Sequence, residues 1–310
     1  MVDKYYKAYY MMTARCNLSC SYCVLENAPY QLAMELPLVE KMALIKHLYS
    51  SFNVRSLTIS GGEPLCIGNN NGRDFILLME FIKDFNNSIT NDKLVVKMYS
   101  NSLLLNEKIV AAMQGVIDCV SINIDSCDDT LLRAIGRSNN NNGSYFDRVL
   151  SSMQLLYKYG IRIKLHTVVS AINSSSIGSQ VKSIIEKVAM ANPQVEKWKF
   201  YQYMSYDDPV KDERHQITTE LFHSVCKDIS NALKGCKIKA QFKSIDEMNS
   251  SLFNILATGI AQYRRDNDTW TTTRRTKSLL EYNSINEMLA DTDIDASLFD
   301  KYHSLAQFDN

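Results

Sequence analysis

Arg15-Cys16-Asn17-Leu18-Ser19-Cys20-Ser21-Tyr22-Cys23 places three cysteines within eight residues of one another, in a C-x3-C-x2-C run. Cysteine thiolates are the usual protein ligands of iron–sulfur clusters. Three of them can hold three irons of a [4Fe–4S] cluster and leave the fourth iron open to another molecule. Three protein ligands and one open position is also the pattern of catalytic zinc sites. Two plainer readings compete, a structural zinc site and a set of buried thiols. A structural zinc site needs a fourth Cys or His at familiar spacing. None follows here, because Cys66, Cys119, Cys127, Cys226 and Cys236 are solitary and read as core or surface thiols.

A second stretch strengthens the cluster reading. Leu57-Thr58-Ile59-Ser60-Gly61-Gly62-Glu63-Pro64 is an apolar strand ending in two glycines, an acid and a proline. Glycine lets the backbone approach a ligand closely and take φ > 0. Glu63 adds a carboxylate beside that backbone. A plain strand-to-helix turn accounts for the glycines and the proline, but not for their pairing with the cysteine run. The two motifs, in this order and about 40 residues apart, support each other.

Composition bounds the remainder. At 310 residues the chain holds one large domain or two small ones. The hydrophobic fraction of 45% and charged fraction of 22% are those of a globular protein with a sizeable core. Formal net charge is zero, which argues against direct nucleic-acid binding and a polybasic membrane surface. Eight mostly isolated cysteines do not form a disulfide framework. No signal-peptide core or bilayer-spanning apolar run is present. A cytoplasmic, monomeric protein in a reducing compartment is expected, with no membrane association.

Strand-like and helix-like segments alternate through the first two-thirds. Strands are predicted at 6–14, 54–60, 94–100, 117–124, 161–169 and 196–204, and helices at 36–50, 73–86, 105–114, 145–159, 177–191 and 218–234. Six such units predict an α/β fold, a partial (β/α)6 TIM-like barrel. Both motifs then fall at the C-terminal ends of strands, where barrels of this kind carry their chemistry. Residues 1–235 are expected to form the barrel and 236–310, whose pattern is irregular, an extension that closes the active site. Asn139-Asn140-Asn141-Asn142-Gly143 reads as a surface loop.

The cysteine spacing and Gly61–Pro64 together resemble the radical S-adenosylmethionine (SAM) superfamily. Later positions are similar to its viperin branch, from about residue 9 to 300. Met98-Tyr99-Ser100-Asn101-Ser102 resembles that branch's Ser-Asn-Gly strand end, and Ser121-Ile122-Asn123-Ile124-Asp125-Ser126 its Ser-x-Asp-Ser segment. Ile135-Gly136-Arg137 matches an Ile-Gly-Arg turn. Lys164-Leu165-His166-Thr167-Val168-Val169 and Lys197-Trp198-Lys199-Phe200-Tyr201-Gln202 are similar to two of its strands, and Thr276-Lys277-Ser278-Leu279-Leu280-Glu281 to its closing segment.

The resemblance implies a [4Fe–4S] cluster on Cys16, Cys20 and Cys23, with SAM on the open iron. SAM would be held by Gly61, Gly62, Glu63, Ser100, Asn123 and Arg137, the last through its planar fork. It implies an antiviral enzyme that abstracts a ribose hydrogen from CTP, UTP or GTP. Loss of water then yields the 3′-deoxy-3′,4′-didehydro nucleotide, which terminates viral RNA chains. Lys164, His166, Lys197, Lys199 and Lys277 would bind the substrate. A buried lysine needs an anionic partner, and a triphosphate is one. Arg274 and Arg275 could add charge or form a solvated basic run. An electron donor such as flavodoxin or ferredoxin is implied.

The departures from that branch are specific. It carries a lysine shortly after the cysteine run, where this chain has Val24-Leu25-Glu26-Asn27-Ala28-Pro29, and another on strand two, where this chain has Ser56. His166 replaces an Asn. A tyrosine that returns a hydrogen atom in viperins aligns with Leu252, and a shift of several residues makes Tyr263 the equivalent. Two rival readings follow: a radical SAM enzyme acting on another small molecule or a peptide, and a nucleotide-binding homologue without turnover.

Overall fold

The computed structural model describes residues 4–25, 34–138, 143–205, 207–248, 253–264 and 273–305. The Asn139–Asn142 run, Glu26–Pro29 and Leu252 lie outside these residues. Seven parallel strands run through the fold: β1 (Tyr6–Met11), β2 (Val54–Ser60), β3 (Val95–Ser100), β4 (Ile117–Asn123), β5 (Arg162–Val169), β6 (Lys197–Gln202) and β7 (Lys239–Lys243). The helices between them are α1 (Leu38–Ser50), α2 (Arg73–Ser88), α3 (Glu107–Met113), α4 (Asp129–Ile135), α5 (Tyr145–Lys158), α6 (Ile177–Ala191), α7 (Pro209–His215) and α8 (Thr219–Ala232).

The strands alternate in a way that divides core from lumen. In β1, Tyr6, Ala8 and Tyr10 are buried against the helices, and Lys7, Tyr9 and Met11 are half-buried on the other face. In β3, Val96 and Met98 join the helix-side core, and Lys97 and Tyr99 take the opposite face. Side chains two apart share a face. The inner face of this barrel is therefore polar and aromatic, and the apolar core lies between strands and helices. Helix α5 shows the complementary pattern, burying Phe146, Val149, Met153 and Leu156, with Ser144 capping its start by accepting from the Asp147 N–H at 3.2 Å.

The sequence beyond 235 is more regular than its pattern suggests. It adds β7, a short helix α9 (Ile245–Met248), then β8 (Phe253–Ile255), β9 (Ile260–Tyr263) and β10 (Arg274–Ser278). These last strands have three to five residues, too few to print a readable alternation. The ten-stranded sheet runs β10-β9-β8-β1-β2-β3-β4-β5-β6-β7, so its edges β7 and β10 do not pair and the barrel is partial. Two further helices, α10 (Ile285–Asp291) and α11 (Ala296–His303), complete the described chain. Helix α11 packs Phe299 against Tyr6 and Phe253, and Leu305 N–H bonds the Tyr5 carbonyl at 2.8 Å. No helix among the described residues is long and apolar enough to cross a membrane.

Candidate active site

Three loops meet at the C-terminal ends of the strands. The cysteine loop leaves β1 and is held by the turn after β2: Gly62 N–H bonds the Thr13 carbonyl and Glu63 N–H the Arg15 carbonyl, each at 2.8 Å. The contact excludes side chains. A Cβ on Gly61 would lie 2.4 Å from the Thr13 oxygen, and one on Gly62 2.3 Å from the Arg15 oxygen. The third loop is the end of α4, where Gly136 takes φ +86° and ends the helix. A Cβ there would sit 2.0 Å from the Ser19 oxygen, and Ser21 N–H bonds the Ile135 carbonyl at 2.7 Å.

Cys16, Cys20 and Cys23 line one cavity of about 500 Å³. The Leu18 N–H donates to Cys16 Sγ and the Leu25 N–H to Cys23 Sγ, both at 3.4 Å, and Asn101 Nδ2 reaches Cys16 Sγ at 3.7 Å. Such donors stabilise sulfur that carries negative charge, and they tune iron–sulfur clusters. Among the described residues no three His, Cys, Asp or Glu side chains close on a single metal ion. A four-iron cluster does not ask for that, because each thiolate takes a different iron. An all-sulfur donor set, amides aimed at the sulfurs and a cavity beside them fit the group. The other five cysteines do not line this cavity. Cys119 and Cys226 are buried, Cys66 and Cys127 half-buried, and Cys236 exposed.

Of the residues expected to hold SAM, Gly61, Gly62, Ser100, Asn123 and Arg137 line the cavity. Glu63 does not. It is fully buried, its Oε1 accepting from Ser100 Oγ at 2.9 Å and its Oε2 from the Asn101 N–H at 2.7 Å. Burial pushes its carboxyl up to about 7, against the opposing pull of those hydrogen bonds. Glu63 thus braces the end of β2 to the end of β3, a role that only the pairing of those strands reveals. Arg137 is buried in a network of its own. Nε donates to Asp125 Oδ2 at 2.6 Å, Nη2 to the Tyr22 hydroxyl at 2.6 Å and Nη1 to the Tyr145 hydroxyl at 3.0 Å. Its fork already has an internal anion in Asp125, and through Tyr22 it fixes the cysteine loop.

Deeper in the barrel lie the expected substrate residues. Lys164 and His166 share the inner face of β5, and His166 stands in register with Lys199 on β6 and Asn123 on β4. The His166 ring meets Tyr99 and Tyr201 edge-on, at 5.1 and 5.3 Å between centroids. Tyr99 also lines the cysteine cavity, so the two regions adjoin. Burial, with Lys199 and Lys164 beside it, pushes the imidazole down to about 3 and keeps it neutral. Burial and then Lys164, Lys243, Lys197 and Lys7 lower Lys199. Lys97 is lowered by burial and then by Lys164, and its Nζ donates to Ser56 Oγ at 3.3 Å. Among the described residues Lys7, Lys97, Lys164 and Lys199 have no acid within ion-pair distance.

Sequence reading missed Lys7, Lys97, Tyr9, Tyr99 and Tyr201. Their signal was available in the strand alternation, where polar residues occupy the parity of Lys164 and His166. Three expected residues are placed elsewhere. Lys197 is exposed at the start of β6. Lys277 pairs with Asp291 at 3.8 Å and lies over the Tyr282 ring, outside the cavity. Tyr263 is buried in the helix-side core, in the cluster that holds Tyr282. Arg274 pairs with Asp293 at 2.7 Å.

Comparison with known proteins matches residues 10–173, more than half of the chain, to the radical SAM superfamily. An S-adenosylmethionine-dependent nucleotide dehydratase of Flammeovirga pacifica is 25% identical over 223 residues, 67% of this chain and 65% of that protein. A GTP 3′,8-cyclase of Chlorobaculum tepidum is 27% identical over 173 residues, 55% of this chain and 47% of that one. The chain thus spans between 47% and 65% of the length of these two relatives. Native anSMEcpe with bound AdoMet and Kp18Cys peptide has the same fold, with TM-score 0.68 at 15% identity over 92% of this chain and 80% of that one. The chain belongs to the radical SAM superfamily, whose members use a [4Fe–4S] cluster and S-adenosylmethionine.

Proposed function

We propose that this enzyme abstracts a ribose hydrogen from a nucleoside triphosphate and dehydrates it to the 3′-deoxy-3′,4′-didehydro nucleotide. The observation that carries the reading is the cationic lumen. Lys7, Lys97, Lys164 and Lys199 crowd a half-buried space with no acid within ion-pair distance among the described residues, Asp118 acting on Lys97 only from farther off. Unpaired cations away from water are costly, and a polyanion removes that cost. The names of the nucleotide dehydratase and GTP cyclase relatives support a nucleotide as the ligand.

In this reading Cys16, Cys20 and Cys23 hold the cluster, and Gly61, Gly62, Ser100, Asn123 and Arg137 border SAM. The cofactors supply the 5′-deoxyadenosyl radical that takes the hydrogen atom. The protein positions the ribose and excludes water. Lys97, Lys164 and Lys199 anchor the phosphates. Neutral His166, held between Tyr99 and Tyr201, meets the sugar as a hydrogen-bonding group and adds no charge. A one-electron donor would supply two electrons per turnover, one for the cleavage of SAM and one that, with a proton, is taken up as the hydroxyl leaves as water.

The test is anaerobic reconstitution with SAM, a reductant and each of the four ribonucleoside triphosphates, read by mass spectrometry. Dehydration removes one water from the nucleotide. An intramolecular cyclisation, the reading favoured by the GTP cyclase relatives, leaves the mass unchanged. Failure of every nucleotide to raise 5′-deoxyadenosine release would sink both nucleotide readings.

A further inference from the structure

Formal net charge is zero, so any pull on a polyanion must come from where the charges lie and not from their sum. One edge of the sheet holds a local excess. Strand β7 pairs in parallel with β6, Trp198 opposite Ala240 and Phe200 opposite Phe242. Phe200 is buried in the helix-side core and stacks on Phe242, with 5.6 Å between ring centroids. Side chains two apart share a face, so Lys239, Gln241 and Lys243 lie with Lys197, Lys199 and Tyr201 on the lumen face. Gln241, Lys199 and His166 stand in register across β7, β6 and β5, and they are exposed, half-buried and buried in that order. Solvent thus reaches the lumen from the β7 side.

The cations on this edge follow the same gradient. Lys197 and Lys239 stand opposite each other at the starts of β6 and β7, both exposed. Among the described residues neither has an acid within ion-pair distance. Lys243 has Glu247 at 3.8 Å, and water reaches about half of both side chains and weakens the pair. Burial, then Lys164, Lys243 and Lys197, lower the pKa of half-buried Lys199, so edge and lumen share one positive field. The other edge of the sheet differs: Arg274 and Lys277 on β10 pair with Asp293 and Asp291. Lysines on an edge strand also keep foreign strands from pairing. That accounts for β7, but not for Lys197, which stands one strand in.

We propose that Lys197 and Lys239 form an electrostatic entry surface, which draws the polyphosphate of the substrate to the β6–β7 edge and passes it to Lys199 and Lys164. This rests on the reading of the substrate as a nucleoside triphosphate. Lysines that stay in water act over distance and are screened by salt, whereas a lysine in contact with phosphate is screened much less. The test is calorimetric binding to the full chain reconstituted with its cluster and SAM. The ligands are the four ribonucleoside triphosphates and inorganic tripolyphosphate, and the tightest is carried through the variants. At about 0.01 M salt, where the screening length is about 30 Å, Lys197→Gln/Lys239→Gln should weaken binding about tenfold. At about 0.15 M, where it is about 8 Å, the loss should shrink to about threefold or less. Lys199→Ala should lose a similar factor at both salts. Lys197→Arg/Lys239→Arg should match the wild type. So should Lys83→Gln/Lys182→Gln, which removes the same charge from exposed positions on α2 and α6. Unfolding midpoints of the edge and control variants should not move, because the side chains replaced are exposed. A Lys197→Gln/Lys239→Gln variant that binds at low salt as well as the wild type, or no worse than the Lys83→Gln/Lys182→Gln control, overturns the proposal. A loss equal at both salts makes the two lysines contacts and overturns it as well. A wild type that binds none of these ligands overturns the nucleotide reading and the proposal together.

Discussion

The two ends of the barrel interior are built on opposite principles. At the cysteine end, polar groups are largely paired within the protein: Glu63 with Ser100 and Asn101, Arg137 with Asp125, Tyr22 and Tyr145. Glycines there are fitted to carbonyls within 2.4 Å of where a Cβ would lie. A few residues deeper, Lys7, Lys97, Lys164 and Lys199 crowd together with no acid within ion-pair distance among the described residues. The first region is preorganised and rigid before any ligand arrives. The second carries unbalanced charge that a ligand must complete. A cluster kept through every turnover suits the first arrangement, and an exchanging anionic substrate suits the second.

The sharpest way to break this contrast is at the cysteines. Replacing Cys16, Cys20 or Cys23 with Ala should abolish SAM cleavage, and the triple variant should lose its iron–sulfur absorbance. A triple variant that kept that absorbance would show the cavity was misread. Next in size is Gly136→Ala. Its φ of +86° and a Cβ 2.0 Å from the Ser19 oxygen leave the loops no room. It should lower stability by more than about 1 kcal/mol and impair cluster loading. Normal loading and an unchanged unfolding midpoint would mean that the loop is not held from below.

The lumen should respond differently, through affinity. Lys199→Ala and Lys97→Ala should each weaken triphosphate binding by about tenfold to a hundredfold, the ~1.5–3 kcal/mol of a charge-assisted contact. SAM binding should stay nearly intact. Triphosphates should bind more tightly than monophosphates, and added salt should narrow the gap. Equal affinity for a triphosphate and its nucleoside would remove the phosphate site.

The smallest effect concerns protons. His166 has its pKa depressed to about 3 in the fold, against 6.5 for the free side chain. As pH falls below 6.5 the unfolded chain takes up this proton and the folded chain does not. The stability contributed by neutral His166 is therefore full above 6.5 and declines toward pH 3. His215 and His303, both lowered by burial to about 4, act in the same direction. Glu63, raised by burial to about 7, acts in the opposite one between pH 4.5 and 7. Thermal unfolding of His166→Asn should thus be less acid-sensitive between pH 7 and 5 than that of the wild type. Identical slopes would place His166 in water.

What the sequence determined by itself is local. Cysteine spacing sets which sulfurs can share one ligand, because a short loop reaches only so far. The six βα units follow from alternation of period, and Lys164 and His166 fall on one face because side chains two apart must. The same parity made Lys97 and Tyr99 legible in principle. Tertiary structure alone decided the rest. Register across strands placed Lys199 opposite His166, and burial settled the neutrality of that histidine. Strand pairing took Glu63 out of the cavity and gave it to Ser100 and Asn101. The acidic segment near Asp291 drew Lys277 away, and α7 came back over the cysteine loop with Lys211 and His215. These outcomes depend on contacts between residues far apart in the chain. No local pattern encodes them, because burial and charge pairing exist only once the strands have met.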